Sequence, residues 1–294
     1  MNEFTITFLP GGETVTVPEG TDLLQAQILA GLRPDAPCGG RGTCGKCRVW
    51  IGDKEVLACQ TVVDRDMTVE TTPVEKTNIL TSGEGVQTQP DGEHDYALAF
   101  DIGTTPVVAY LLDGHSGALL SQASCRNPQG QFGADVISRI QLAMDGEGET
   151  LKSCIRGAMK DLAEKACRQA GIELSSVTGA AIVGNTAMHH LLLGIDPQPL
   201  VTPPYMPNVF DAMELSEPCQ VRILPNIAGF VGGDTVGCMV ATRFDQLEDL
   251  TLLIDIGTNG EMVLGNRDSY LACSTAAGPA FEGAKISCGM RGAA

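Results

Sequence analysis

The chain has 294 residues, a formal net charge of -17 at pH 7 and 43% hydrophobic residues, enough for two or three domains with sizeable cores. Such acidity repels phosphate backbones and anionic lipid surfaces, which argues against nucleic acid and membranes as partners. No run of about eighteen apolar residues occurs, and the start lacks a basic stretch leading into an apolar one, so a cytoplasmic protein is expected.

Phe4-Thr5-Ile6-Thr7-Phe8 alternates apolar and polar, Pro10-Gly11-Gly12 turns, and residues 13–17 alternate again, which predicts a hairpin. Thr21 and Asp22 offer an N-cap for a short helix through Leu23, Leu24, Ala26, Gln27 and Ile28 that stops at Gly31. Then comes Cys38-Gly39-Gly40-Arg41-Gly42-Thr43-Cys44-Gly45-Lys46-Cys47, with Cys59 further on, a C-x5-C-x2-C-x11-C spacing. Four thiols among glycines describe a loop wrapped around something compact. A binuclear iron–sulfur cluster needs four thiolates and close backbone N–H donors, which glycine permits. Tetrahedral zinc is the alternative, although zinc sites usually present two C-x2-C knuckles and Cys44 and Cys47 form one. The spacing resembles the bacterial and mitochondrial branch of the [2Fe-2S] ferredoxins.

Residues 48–51 and 55–58 predict a second hairpin around Gly52-Asp53-Lys54 that returns Cys59 to the loop, and residues 67–71 a closing strand. This is a β-grasp order, an α+β ferredoxin domain over residues 1–72. Residues 73–95 turn to Pro, Gly, Ser, Thr, Glu and Gln and are expected to be a linker. The eleven cysteines are an odd number in a long chain, which favours a reducing compartment over a disulfide framework. Cys125, Cys154, Cys167, Cys219, Cys238, Cys273 and Cys288 stand singly among apolar residues and read as small buried hydrophobes.

Ala97-Leu98-Ala99-Phe100 predicts a buried strand ending in Asp101-Ile102-Gly103-Thr104-Thr105, and Leu252-Leu253-Ile254 ends alike in Asp255-Ile256-Gly257-Thr258-Asn259-Gly260-Glu261. Two copies a lobe's length apart are an internal duplication. An aspartate at a strand's mouth can orient a metal-bound water, and the Gly-Thr turn points N–H and hydroxyl groups at phosphate oxygens. The pair resembles the two phosphate motifs of the superfamily of acetate and sugar kinases, heat-shock chaperones and actin. No P-loop or dinucleotide fingerprint is present.

Between the motifs the pattern is mixed α/β. Strands are expected at 107–112, 177–183 and 221–224, and helices at 134–144, 151–170 and 186–193. A further helix at 235–243 would be capped by Asp234. His189 and His190, adjacent on a helix, point apart and make a poor chelate. Residues 274–283, small and Gly-rich, are expected to form a loop near the nucleotide or a connection into a helix. The second lobe has little length after Glu261, so the expectation is a truncated lobe, with 96–215 as the first actin-like (ribonuclease H-like) lobe and 216–294 as the start of the second.

A [2Fe-2S] domain joined to this duplicated fold resembles the reductive activators of corrinoid proteins, ATP-dependent enzymes that rescue methyltransferase corrinoids from Co(II). The match is carried by residues 101–112, 127–140, 184–195, 224–236 and 252–291. Pro106 departs from it, standing where the family usually has threonine and removing one N–H beside the first turn, and the linker is short. The resemblance implies that Cys38, Cys44, Cys47 and Cys59 hold the cluster and that Asp101 and Asp255 orient Mg2+. Gly103, Thr104, Thr105, Gly257, Thr258, Asn259, Gly260 and Glu261 would then bind ATP. It also implies a corrinoid protein and an upstream electron donor as partners, with the full-length chain a candidate homodimer. Two alternatives stay open: an activator of another redox enzyme, and a ferredoxin-type carrier fused to a small-molecule kinase-like domain.

Overall fold

The computed structural model describes residues 2–32, 34, 36, 40–42, 45–71, 88, 90, 92–216, 219–257 and 259–275. The chain divides into two units, Met1–Lys76 with Pro128–Arg139, and Thr77–Asn127 with Ile140–Ala294. The linker expected at 73–95 falls largely outside the described residues.

In the first unit, β1 (Glu3–Leu9), β2 (Glu13–Pro18), α1 (Leu23–Leu29), β3 (Arg48–Ile51), β4 (Lys54–Leu57) and β5 (Met67–Thr71) follow one another. The five strands form one sheet in the order β2-β1-β5-β3-β4, with β1 and β5 parallel at its centre. Alternation along β1 puts Ile6 and Phe8 on one face, where both are fully buried with Val17, Leu23, Val49 and Val69. The Asp22 carboxylate accepts from Gln25 N at 2.8 Å and starts α1. Seven residues would not hold a helix in water; burial of Leu23, Leu24, Ala26 and Gln27 does. The expected β-grasp order is present. The β3–β4 turn is tighter than expected, because Lys54 already pairs with Ile51. Cys59 then lies on a short 3-10 turn, Ala58–Gln60.

The rest of the chain contains β6 (Tyr96–Ile102), β7 (Pro106–Asp113), β8 (Leu119–Arg126), α2 (Val136–Leu142), α3 (Gly148–Ala170), β9 (Val177–Gly184) and α4 (Thr186–Leu193). They are followed by β10 (Met213–Leu215), β11 (Gln220–Ile223), α5 (Gly233–Ala241), β12 (Thr251–Ile256), β13 (Gly260–Gly265) and β14 (Tyr270–Thr275). A six-stranded sheet runs β10-β11-β9-β6-β7-β8. β6, β7 and β8 form an antiparallel meander, and β9 and β11 add to β6 in parallel. A meander continued by parallel strands from its first member is the ribonuclease H-like arrangement of actin-type lobes. β12, β13 and β14 form a separate antiparallel sheet. Among the described residues no helix is long and apolar enough to cross a membrane.

Several local expectations are corrected. The helix expected at 151–170 begins at Gly148, continuing from a π turn at Ala143–Glu147 in which Gly146 has φ 104. The one expected at 134–144 shortens to Val136–Leu142. Gly232 is the N-cap of α5, so Asp234 lies in its first turn instead of capping it. Ser274 and Thr275 complete β14, so the expected loop does not begin there; residues 276–294 lie outside the described residues. Among the described single cysteines only Cys167 is buried, Cys273 is exposed and the rest are half-buried.

The N-termini of α4 and α5 cross at a glycine. A Cβ on Gly232 would fall 2.5 Å from Thr186 N and 2.6 Å from Asn185 Cα. That backbone cannot yield without moving both helix starts, so Gly232→Ala is expected to cost about 2–4 kcal/mol, read as a shift in the urea midpoint.

Candidate functional site

In the first unit, Cys47 is buried at the foot of β3 and its Sγ lies 3.3 Å from Cys59 Sγ. A short backbone bond ties the two segments together, Ala58 N donating to Cys47 O at 2.7 Å, and just past Cys59 the Thr61 carbonyl accepts from Leu23 N at 2.9 Å. The sulfurs stand well beyond a bonded distance of about 2.05 Å, as two thiols sharing a metal centre would. Gly40, Gly42 and Gly45 adopt φ of 82, 74 and 64, the left-handed region that costs other residues strain. A Cβ on Gly40 would also press to 3.2 Å from Leu24 Cδ2. The described part of the loop therefore fits a cluster-binding wrap. Cys38 and Cys44 lie outside the described residues.

In the second unit the two predicted motifs are both hairpin turns. Asp101 is the penultimate residue of β6, and Gly103 N donates to Pro106 O at 2.9 Å across the turn into β7. Asp255 is the penultimate residue of β12, and Gly257 N donates to Asn259 O at 2.9 Å across the turn into β13. Thr258 lies outside the described residues. The copies differ opposite the aspartate, where Asp101 faces Val108 and Asp255 faces Glu261. Glu261 is buried and accepts from Ser274 Oγ at 2.9 Å.

Side chains outside the motifs brace the first turn. Asn127 gives its backbone N–H to Thr105 O at 2.6 Å and its side-chain amide to Gly103 O at 2.8 Å. Asn185 accepts from Met188 N at 3.0 Å as the N-cap of α4 and donates to Thr104 Oγ1 at 2.9 Å. Thr104 is accordingly turned inward, 4% exposed, with its hydroxyl engaged as a strut to α4. His189 and His190 are buried in α4, where His189 meets the Asn226 amide at 2.7 Å and His190 bridges Thr186 O and Asn208 N.

Electrostatics tie the two turns together. Burial, then Asp234 and Asp255, pushes Asp101 up to about 6 although its edge meets solvent. Asp234 is raised to about 6 by burial and Asp255, against N–H donors that include Thr235 at 2.8 Å. Glu261 reaches about 7 through burial and the same two aspartates, and burial raises Asp255. Cys238, one turn beyond Asp234, donates to Asp255 Oδ2 at 3.8 Å and is pushed up to about 12, so it stays a thiol. Among the described residues no lysine or arginine pairs with any of these carboxylates.

Crowded, unpaired carboxylates are hard oxygen donors that fit Mg2+. Among the described residues no three acidic, histidine or cysteine side chains form a ready-made chelate. Sequence reasoning read Asp234 only as a helix cap; the fold sets its charge against Asp101 and Asp255.

A pH effect follows. The folded chain keeps protons on Asp101, Asp234 and Glu261 up to about 6 to 7, whereas an unfolded chain loses them near about 4. Between those values the folded state binds more protons, so this contribution to stability is greatest below about pH 4 and is lost as pH rises towards 7. Urea melts without divalent ions should show that loss, and Mg2+ with nucleotide should flatten it.

Residues 6–72 match the 2Fe-2S iron-sulfur cluster binding domain. Residues 96–247, more than half of the chain, match the RACo middle region, and residues 249–294 match the C-terminal domain of RACo, the ASKHA domain. The chain belongs to the RACo family. It is similar to the corrinoid activation enzyme RamQ of Eubacterium limosum, 39% identical over 234 residues that make up 74% of this chain and 39% of that protein. It is also similar to a [Co(II) methylated amine-specific corrinoid protein] reductase of Methanosarcina barkeri, 39% identical over 83 residues, 28% of this chain and 15% of the relative. A solved reductive activator for corrinoid, iron-sulfur protein matches 98% of this chain and 65% of its own, with 28% identity and a TM-score of 0.62. The chain thus spans 39% and 15% of the two curated relatives and 65% of the solved one. The match over residues 6–72 favours the iron–sulfur reading of the thiol loop over zinc.

Proposed function

We propose that this chain belongs to an ATP-dependent reductive activator that passes one electron from a [2Fe-2S] cluster to a corrinoid protein, converting Co(II) to Co(I) for methyl transfer. Cys38, Cys44, Cys47 and Cys59 hold the cluster, which supplies a one-electron store near about -400 mV. Asp101, Asp255 and Asp234 orient Mg2+, and the turns at 103–105 and 257–259 face the phosphates, with Gly260 and Glu261 at the second turn's base. Asn127 and Asn185 keep the first turn in shape.

The observation that carries this reading is a single chain that runs from converging thiols in a β-grasp unit to two aspartate-bearing hairpins. The names of the relatives support a corrinoid partner. ATP is required because the cobalt couple is expected to lie below the cluster, and each ~59 mV of deficit costs tenfold in a one-electron equilibrium. Closure of the two hairpins offsets that deficit only by favouring the electron-transfer complex over the free partners. In this reading residues 1–72 form the ferredoxin-like domain, 73–95 the linker, 96–215 the first lobe, and 216–294 belong to the second. An upstream donor loads the cluster, the full-length protein is a homodimer, and it works in the cytoplasm.

The test is an anaerobic visible spectrum of Co(II) corrinoid protein mixed with the intact protein and a reductant. Co(I) bands should grow with Mg-ATP and stay absent with a non-hydrolysable analogue. Equal growth under both conditions would remove the proposal.

A further inference from the structure

We propose that the basic rim of the thiol loop is the docking face for an acidic electron-carrier protein that loads the cluster. The inference rests on the iron–sulfur reading above, whose own failure would show separately as a colourless reconstituted protein.

Charge is distributed unevenly around the loop. The chain holds 36 acidic and 19 basic residues, yet residues 36–52 contain Arg41, Lys46 and Arg48 and no aspartate or glutamate. Strand alternation turns Cys47 inward and leaves Arg48 outside. Arg48 is anchored, with Nε on Gly45 O at 3.0 Å and Nη1 on Glu55 at 2.6 Å, so its charge is matched. Arg41 is exposed, Lys46 is partly exposed, and neither makes an ion pair among the described residues. Lys46 is the chain neighbour of Cys47, whose sulfur meets that of Cys59 at 3.3 Å. Beyond Cys59, Gln60 is exposed and Val62 is 56% exposed, which gives the rim an apolar contact beside its cations.

Over most of this surface an acidic carrier meets repulsion from a chain of charge -17. Arg41 and Lys46, without ion pairs among the described residues and with Lys46 next in the chain to Cys47, are the place where it is drawn in, and charge of this kind sets orientation and encounter rate more than affinity. The transfer balances simply: the carrier's reduced centre loses one electron, the cluster gains it, and no bond or proton moves.

The experiment is stopped-flow reduction of the oxidised holoprotein by a reduced acidic [2Fe-2S] ferredoxin as ionic strength is raised. The rate should fall with salt, since attraction is being screened. Arg41→Gln with Lys46→Gln should lower the low-salt rate about tenfold and flatten the salt dependence. The visible spectrum should persist, and reduction by reduced methyl viologen, a small cationic carrier, should not slow. A wild-type rate that rises with salt, as two acidic bodies would show, overturns the proposal without any variant. So does a double variant matching wild type, or equal slowing with viologen, which would assign the cations to the cluster's potential. A salt effect seen with the corrinoid protein and not with ferredoxin would move the face to the acceptor and equally overturn it.

Discussion

Cys59→Ala should leave a folded, colourless protein that still binds Mg-ATP and no longer delivers electrons. The side chain contributes its sulfur and little else, because the turn that carries it is held by backbone bonds and by Ala58, which is fully buried. Removing one of four thiolates removes the cluster's closed coordination, and binding energy of the metal is what orders such a loop. Iron and sulfide per chain should drop to background, and Co(I) formation should fall by more than about 100-fold. Nucleotide binding should survive, since Asp101, Asp234 and Asp255 lie in the other unit. Loss of both functions together would mean that the two units do not act as separate parts.

Asp255→Asn should do the reverse. The substitution keeps the shape of the hairpin, where residue 255 pairs with Glu261 across β12 and β13, and deletes a charge that would face the cation. ATP turnover and Co(I) formation should fall by about 100- to 1,000-fold, while the visible spectrum and its bleaching by reductant remain. The empty protein should become more stable, because Asp101, Asp234 and Glu261 each lose a like-charged neighbour. A higher melting temperature paired with lost turnover is the signature of a site selected for its ligand over its own stability. Asp249→Asn, at an exposed carboxylate, serves as the control and should change neither.

What the sequence made legible was carried by short-range chemistry. Three thiols among glycines within ten residues, with a fourth twelve further on, and Asp-Ile-Gly-Thr after two apolar strands are signals carried by neighbours in the chain. Elements defined by neighbours were harder to see. β8 is an edge strand of the six-stranded sheet with Leu119 and Leu120 facing solvent, so it lacks the alternation that marks a half-buried strand. β10 is three residues long and exists by pairing with β11. Cys238 read as a small hydrophobe because its flanks are apolar; only the fold brings it beside Asp255. Asp234 read as a cap for the same reason, since an aspartate opening a helix looks alike whether it serves the backbone or a cation. Thr104 was expected to offer its hydroxyl outward, and the distant Asn185 draws it in.

If ATP drives the electron uphill, the direct test is a steady state held away from equilibrium. With the reductant held at a fixed potential, the final Co(I) fraction of the corrinoid protein is measured with ATP, without nucleotide and after ATP is exhausted. The Co(I) fraction should stand above that set by the reductant while ATP lasts and fall back when it runs out. An identical fraction under all three conditions would contradict it.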